Sequence, residues 1–284
     1  MSVIVACASV RAGAQGPADG PVLGAHALHA GAPLKIWVES GRVRLIAWDR
    51  DSIEVRGHPG RGQGFFIGGD SSGMKFGVEK RVPSHGTGQT GIVAYIPRRS
   101  MVSVKSVAAI IDAAGLSGWF YSVSGAIHLG GRATSIEAES MNGSLDIDVT
   151  APWLRARTGD GHLLLRGAPE DVDVSTISGT LDIAASTVRR GQFGSVSGDI
   201  HYAGSPQPGG IVEFSNHSGN VELLLPADVS GDFTLTSIAG SIENGVTRAR
   251  PIATSPRSLR VSLGRGGSQV TVRTFKGAIR LRAR

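Results

Sequence analysis

One eight-residue phrase returns along this chain at short, nearly constant intervals, and no other feature limits the fold as strongly. It runs Ser or Thr, any residue, a small polar residue, Gly, then apolar residues alternating with polar ones. The clearest copies are Ser122 to Leu129, Ser140 to Ile147, Thr158 to Leu165, Thr176 to Ile183 and Ser195 to Tyr202. Weaker copies stand at Asn216 to Leu223, Ser237 to Asn244 and Thr274 to Leu281. The phrase glycines are Gly125, Gly143, Gly161, Gly179, Gly198, Gly219, Gly240 and Gly277, spaced by 18, 18, 18, 19, 21, 21 and 37 residues. A short period of this kind means stacked structural units.

Counting from the phrase glycine, positions +2 and +4 are apolar: Ile127/Leu129, Leu145/Ile147, Leu163/Leu165, Leu181/Ile183, Ile200/Tyr202, Val221/Leu223 and Ile279/Leu281. Upstream, −7 and −5 repeat the pattern at Ile136/Ala138, Leu154/Ala156, Val172/Val174, Val212/Phe214, Phe233/Leu235 and Val270/Val272. Strict alternation is the signature of a strand with one buried face. Each repeat therefore holds two short strands joined at a Ser-x-Ser-Gly corner, where Gly is expected for its tolerance of positive φ. One unit cannot bury its own apolar face, but a stack of units can. The expected fold is all-β: a single-chain parallel β-solenoid, right-handed by the preference of parallel crossovers, with about nine coils from residue 101 onward and a β-rich N-terminal portion. Stacking places Glu137, Arg155 and Asp173 in one outward row, and Glu139, Arg157 and Ser175 in another, so opposite charges fall on adjacent coils.

Composition agrees with narrow coils and many corners: aromatics are 5% and Gly numbers 41 of 284 residues. No run of 18 apolar residues occurs, so no transmembrane helix is expected. Val3 to Val10 is a short apolar run, and Ala12-Gly13-Ala14 before Gln15 has the small-residue pattern of a signal peptidase site. Residues 1–14 are therefore expected to be a signal peptide, 15–33 a flexible segment, 34–100 an N-terminal β region and 101–284 the repeats. The sole Cys, Cys7, falls inside the leader, which leaves the mature chain without thiol chemistry. The expected location is the periplasm, outer membrane or cell surface.

Three stretches carry a likeness: Glu39-Ser40-Gly41-Arg42-Val43-Arg44-Leu45, then Tyr95-Ile96-Pro97, then the coil phrase at Val196-Ser197-Gly198-Asp199-Ile200. Across residues 34 to 284 the chain resembles the "putative adhesin" domain of bacterial envelope proteins, related to the toast-rack domains of envelope-stress systems. The Gly-rich stretch 58–91 and Ala109, standing where a phrase Gly is expected, depart from the pattern. The resemblance implies an exported, non-enzymatic β-solenoid. It implies adhesion by name, and it transfers no catalytic residue.

Charge offers one candidate surface. Arg248, Arg250, Arg257, Arg260, Arg265, Arg273, Lys276, Arg280, Arg282 and Arg284 are ten basic residues in a C-terminal stretch without Asp or Glu. They suit contact with a polyanion such as anionic lipid or acidic polysaccharide in the envelope; a solvated basic cap is the plainer alternative. Nucleic acid is excluded by the lack of a recognition helix or an aromatic-rich basic platform.

Catalytic motifs are missing. Ser124, Ser178 and Ser197 adjoin glycines but not in a strand-to-helix elbow, and His162 reads as a turn residue. Gly60 to Gly64 lacks the Gly-Lys-Ser/Thr of a phosphate loop. Asn216-His217-Ser218 matches a glycosylation triplet at a corner. The +3 row His128, Asp146, Leu164, Asp182, His201, Glu222 and Glu243 could hold a metal only where Asp182 and His201 adjoin, and Leu164 interrupts it. No cofactor or metal is expected. Among the tryptophans Trp37, Trp48, Trp119 and Trp153, Trp119 at −6 should point outward near Tyr121, with the N-terminal strands covering it.

Three functions follow: a non-enzymatic exported envelope adhesin or surface scaffold, an envelope-stress sensing module, or a polysaccharide-acting enzyme. The last would require a carboxylate cluster with Arg or Lys in a groove.

Overall fold

The computed structural model describes residues 20–81, 89–185, 188–247 and 250–284. The expected leader with Cys7, and Arg248, lie outside the described residues. Every regular element among the described residues is a strand.

Each coil contributes one strand before its corner and one after it, forming two sheets around a shared core. The sheet before the corners runs in space through Gly73–Lys80, the first half of Pro33–Trp48, the first half of Met101–Ala114, Ser117–Ser122 and Ser135–Ser140. It continues through the later halves of Leu145–Thr158 and Leu163–Thr176, then Val188–Ser195 and Pro206–Asn216. The sheet after the corners stacks Gly91–Pro97, the second halves of Pro33–Trp48 and Met101–Ala114, Ile127–Arg132, the early halves of the two 14-residue strands, Leu181–Ile183, Ile200–Tyr202 and Val221–Leu225. All these pairings are parallel and in phrase register, as the repeat demands. Parallel stacking also extends N-terminal to residue 101, through Pro33–Trp48.

At the C-terminal end the spatial order leaves the chain order. Gln269–Thr274 and Ile279–Ala283 insert beside Pro206–Asn216 and Val221–Leu225. Gly231–Ser237 and Ile242–Asn244, earlier in sequence, stack outside them. Between the phrase copies at Ser237 and Thr274 lies the antiparallel hairpin Arg250–Ser255 and Ser258–Leu263, which pairs onto Gly231–Ser237. The N-terminal end has antiparallel partners too: Gln63–Asp70 on one sheet, Ser52–His58 and Val22–Ala27 on the other. Val22–Ala27 lies in the stretch expected to be flexible. It is held by pairing with Ser52–His58 and followed by the fully buried Leu28.

The core is the alternation made solid. Leu145 and Ile147 are buried while Asp146 between them is half-buried, and Leu181, Ile183, Val221 and Leu223 repeat the arrangement. Each such side chain contributes about 1.5–3 kcal/mol by leaving water. Phe193, Tyr202 and Phe214 pack together, Tyr202 edge-on to Phe214 at 5.1 Å.

The corners correct one expectation. None of the phrase glycines has a positive φ. Their need for Gly is a close approach instead: a Cβ on Gly143, Gly161, Gly179, Gly198 or Gly219 would overlap the carbonyl oxygen of the phrase glycine one coil back. Gly277 would meet Gly219 in this way, and Gly240 would meet Gly277, which follows the spatial order. Ala109, the one Ala at a phrase-Gly place, stands beside Gly41, whose φ is 100°. The −3 residues form a buried polar ladder. Ser122, Ser140, Thr158, Thr176 and Thr274 accept a hydrogen bond from the phrase Gly N–H through their hydroxyls, at 2.8, 2.8, 3.2, 3.0 and 2.9 Å. Asn216 does the same through Oδ1 at 3.1 Å. A buried amide is thereby satisfied at nearly every turn.

Candidate functional site

The sheet after the corners carries the richest outward chemistry. Its +3 row runs in space Arg44, Asp112, His128, Asp146, Leu164, Asp182, His201, Glu222, Arg280, Glu243. Asp112 accepts from Arg42 at 3.0 Å and lies 2.7 Å from His128 Nδ1. Arg166 donates to Asp146 at 2.6 Å and sits 3.6 Å from Asp148. Ala114 and Gly130 occupy the neighbouring outward row, and their small size leaves a shallow trough of about 410 Å³. Its floor is Leu45, Ala113, Ala114, Leu129 and Gly130, and its rim is Arg44, Asp112, His128, Asp146, Asp148 and Arg166. Carboxylates and arginines thus do meet in a groove, but as mutually neutralising pairs across coils.

Asp182 is the centre of a second cluster. Its two oxygens face His201 Nδ1 at 2.8 Å and His162 Nε2 at 2.6 Å. Partial burial pushes its pKa up, and hydrogen bonds from the two imidazoles outweigh that, holding the carboxyl below its ordinary value. The +3 row foretold the His201 contact. His162, expected as a turn residue, reaches the same carboxylate from its corner at +1. The imidazoles approach different oxygens, and among the described residues no three ligating side chains converge on one metal position.

The basic C-terminal residues do not form one patch. Arg280 pairs with Glu243 at 3.3 Å and Arg282 with Glu222 at 2.8 Å, because their coil inserts between the two that carry those acids. Arg260 and Arg273 lie in adjacent outward rows of the other sheet, Arg260 beside Thr234 and Arg273 beside Thr236. Arg250 sits on the edge of the terminal hairpin, with Arg257 at its turn; Arg265 and Lys276 sit on nearby loops, and Arg284 follows the final strand.

On the sheet before the corners the expected charge rows meet: Arg155 lies 3.1 Å from Asp173 and 3.8 Å from Glu137, and Arg157 lies 3.8 Å from Asp173. Trp119 points outward and stacks on Tyr121, ring centres 5.5 Å apart, with Lys105 Nζ 5.9 Å from the Tyr121 ring. The N-terminal strands lie beside Trp119 in the same sheet, through Ser103 and Lys35, and do not cover it as expected.

One surface escaped the sequence reading. The −2 position, taken as any residue, forms the outer edge of the corners. In space it runs Val107, Val123, Met141, Gly159, Ile177, Val196, His217, Phe275, Ile238. Val107, Met141, Ile177, Val196, Phe275 and Ile238 are 40–59% exposed. The signal was present, since Val, Met and Ile recur at the second place of the phrase.

The chain belongs to the Toastrack DUF4097 family, whose model matches residues 34–282. Two solved structures are similar over most of both chains. A "putative cell adhesion protein" from Clostridium sporogenes shares 8% identity, with 92% of this chain and 98% of that one covered and a TM-score of 0.25. A "putative adhesin" from Bacteroides fragilis shares 12% identity, with 91% and 95% covered and a TM-score of 0.47. No curated protein matches. Among the described residues no helix is long and apolar enough to cross a membrane.

Proposed function

We propose that this chain is a non-enzymatic, exported envelope protein that acts as an adhesin or surface scaffold through the exterior of its solenoid. The observation that carries this reading is the state of the outward ionisable groups. Asp112, Asp146, Asp173, Asp182, Glu222 and Glu243 are each engaged by a His or Arg on another coil. Groups bound to one another in this way make a flat, laddered surface whose charges are largely neutralised between coils. Such a surface repeats one contact every ~4.8 Å, so weak contacts add along its length. At its C-terminal end Arg257, Arg260, Arg265, Arg273 and Lys276 remain outside the ion pairs among the described residues and face an anionic envelope component, lipid or polysaccharide.

Fractionation of cells making the full chain, with mass spectrometry of the N-terminus, tests export: a start near Gln15 outside the cytoplasm is expected. An intact Met1 in the cytoplasm overturns it. Cosedimentation with anionic against zwitterionic vesicles tests the basic end. Binding should need the anionic lipid, weaken with salt, and fall in Arg260→Ala/Arg273→Ala.

A further inference from the structure

One −3 side chain is left out of the buried polar ladder, and it lies under a hollow. Among the described residues every other −3 side chain from Ser106 to Thr274 accepts from the amide three places on. Ser195 is 8% exposed, and its hydroxyl has no partner. A buried hydroxyl left unbonded costs free energy that a ligand oxygen recovers. Ser195 lines a hollow of about 330 Å³, where Val188–Ser195, Pro206–Asn216, Gln269–Thr274 and Gly231–Ser237 lie side by side. Ser215, Arg273 and Thr236 are neighbours across these strands and form one wall. His217, Phe275 and Ile238 form the other, with the His217 and Phe275 rings stacked at 5.0 Å. The buried −3 row runs between the walls as the floor. Among the described residues no carboxylate lines the hollow, Arg273 stands outside the ion pairs, and Lys276 follows Phe275 in the chain.

We propose that this hollow binds a uronic acid residue of an acidic polysaccharide. The guanidinium fork of Arg273 matches a carboxylate through two parallel hydrogen bonds. The hydroxyls of Ser195, Ser215 and Thr236 both donate and accept, as sugar hydroxyls do. Phe275, beside His217, offers an apolar surface to the C–H face of a sugar ring. The volume stands at the small end of the range for ligand sites, about 300–1,000 Å³, which suits one ring with its carboxylate. Arg273, His217 and Phe275 are exposed, so a polymer continues past the hollow on the outside of the stack. A bare phosphate would engage Arg273 and leave the aromatic wall without a role, and a neutral sugar would leave Arg273 without one. The proposal rests on the reading of the basic end as an anion contact, and it names the anion.

Isothermal titration of the full chain with trisaccharides of galacturonate, mannuronate and guluronate, against maltotriose, provides the test. At least one uronate should bind, the neutral sugar about tenfold or more weaker, and uronate binding should weaken with salt. Arg273→Ala should weaken it about tenfold or more. Arg273→Lys should recover only part of that loss, because it keeps the charge and not the fork. Ser195→Ala should weaken binding about threefold or more while the urea midpoint stays as in the parent; a merely structural role would move the midpoint instead. Arg260→Ala, on the same sheet and outside the hollow, should leave the uronate affinity within about twofold. Uronates that bind no better than maltotriose, or not at all, overturn the proposal. If the chain then still sediments with anionic vesicles, the basic end contacts lipid and only the sugar assignment falls; if it does not, both fall. Uronate binding indifferent to Arg273→Ala and Ser195→Ala puts the sugar elsewhere and overturns the proposal equally.

Discussion

Replacing Gly179 by Ala tests why the corners are glycine. The φ of Gly179 is not positive, so Ala has no backbone objection there. Its methyl would instead overlap the Gly161 carbonyl oxygen one coil away. Both atoms are fixed to backbone, so relief requires the coils to part at the corner. That strains the bonds from Ile177 and Ser178 N–H to the Gly159 carbonyl, each 3.0 Å. Losing much of two such bonds costs about 1 kcal/mol each, and overpacking adds about 1–3. The stiffer unfolded chain returns about 0.4–1. The expected net loss is about 2–4 kcal/mol, read from urea unfolding followed by circular dichroism. Gly194→Ala is the internal control: it too lacks a positive φ, and its nearest neighbours stand at 3.9 Å. It should gain about 0.4–1 kcal/mol. Asn decides between the two explanations. If steric approach is the cause, Gly179→Asn is at least as damaging as Ala; if left-handed backbone were the cause, Asn would rescue much of the loss. Rescue by Asn, or an Ala variant within ~0.5 kcal/mol of the parent, would refute the reasoning.

The same structure sets four further outcomes. Ser140→Ala strands the buried Gly143 N–H and should cost about 1–3 kcal/mol, whereas the buried Ser195 hydroxyl has no partner, so Ser195→Ala should cost nothing measurable in the same urea titration. Tyr202 buries a phenol without a partner, so Tyr202→Phe should stabilise by about 1 kcal/mol. Burial also raises the Tyr202 pKa, so the folded state keeps its proton after the unfolded chain begins to lose it near pH 10.0; stability should fall above that pH in the parent and less in the Phe variant. Asp182 has a lowered pKa in the fold, so its contribution is present above the ordinary value of 3.8 and lost as pH falls through the lower folded value; Asp182→Asn should flatten that part of the acid unfolding curve. Deleting residues 268–284 should remove protection from hydrogen exchange across 231–263 as well, because the deleted coil is the parallel support of that region.

The repeat was legible because one period carries both the strand alternation and the ladder. Glu137, Arg155 and Asp173 could be placed on adjacent coils from spacing alone, and so could Asp182 beside His201. Coil order was not legible. Phrases share one pattern, so the copy at Thr274 to Leu281 fits beside Val221 or outside Ile242 equally well by alternation, and only the three-dimensional return of the chain decides. The pairs Arg280–Glu243 and Arg282–Glu222 follow from that order and could not be seen without it. His162 escaped for a different reason: it belongs to the +1 row and crosses to a +3 residue of the next coil. The phrase glycine was identified for the wrong cause, since sequence marks where Gly stands but not whether backbone angle or a facing carbonyl demands it.

The two ends of the stack use one device. At the N-terminal end the chain lays down Pro33–Trp48, leaves to build an outer coil from Gly73–Lys80 and Gly91–Pro97, and returns to Met101–Ala114 on the other side. At the C-terminal end it skips a place, builds the outer coil and returns to fill the gap. Each outermost coil is therefore tethered at both its ends, and fraying cannot start from a free terminus. Antiparallel strands then cover both sheets at the N-terminal end and one sheet at the C-terminal end. They matter because a parallel coil always offers the next one a matching edge, whereas an antiparallel hairpin does not continue the phrase register. The last strand, Arg250–Ser255, carries Arg250 and Pro251, both of which discourage further pairing. The last strand of the other sheet, Ile242–Asn244, is only three residues long. End-to-end growth is thus blocked by construction at both ends. Any association of these solenoids with one another has to be lateral, and the sheet faces are occupied by their own ion pairs. That leaves the corner edge, whose apolar row no element among the described residues covers.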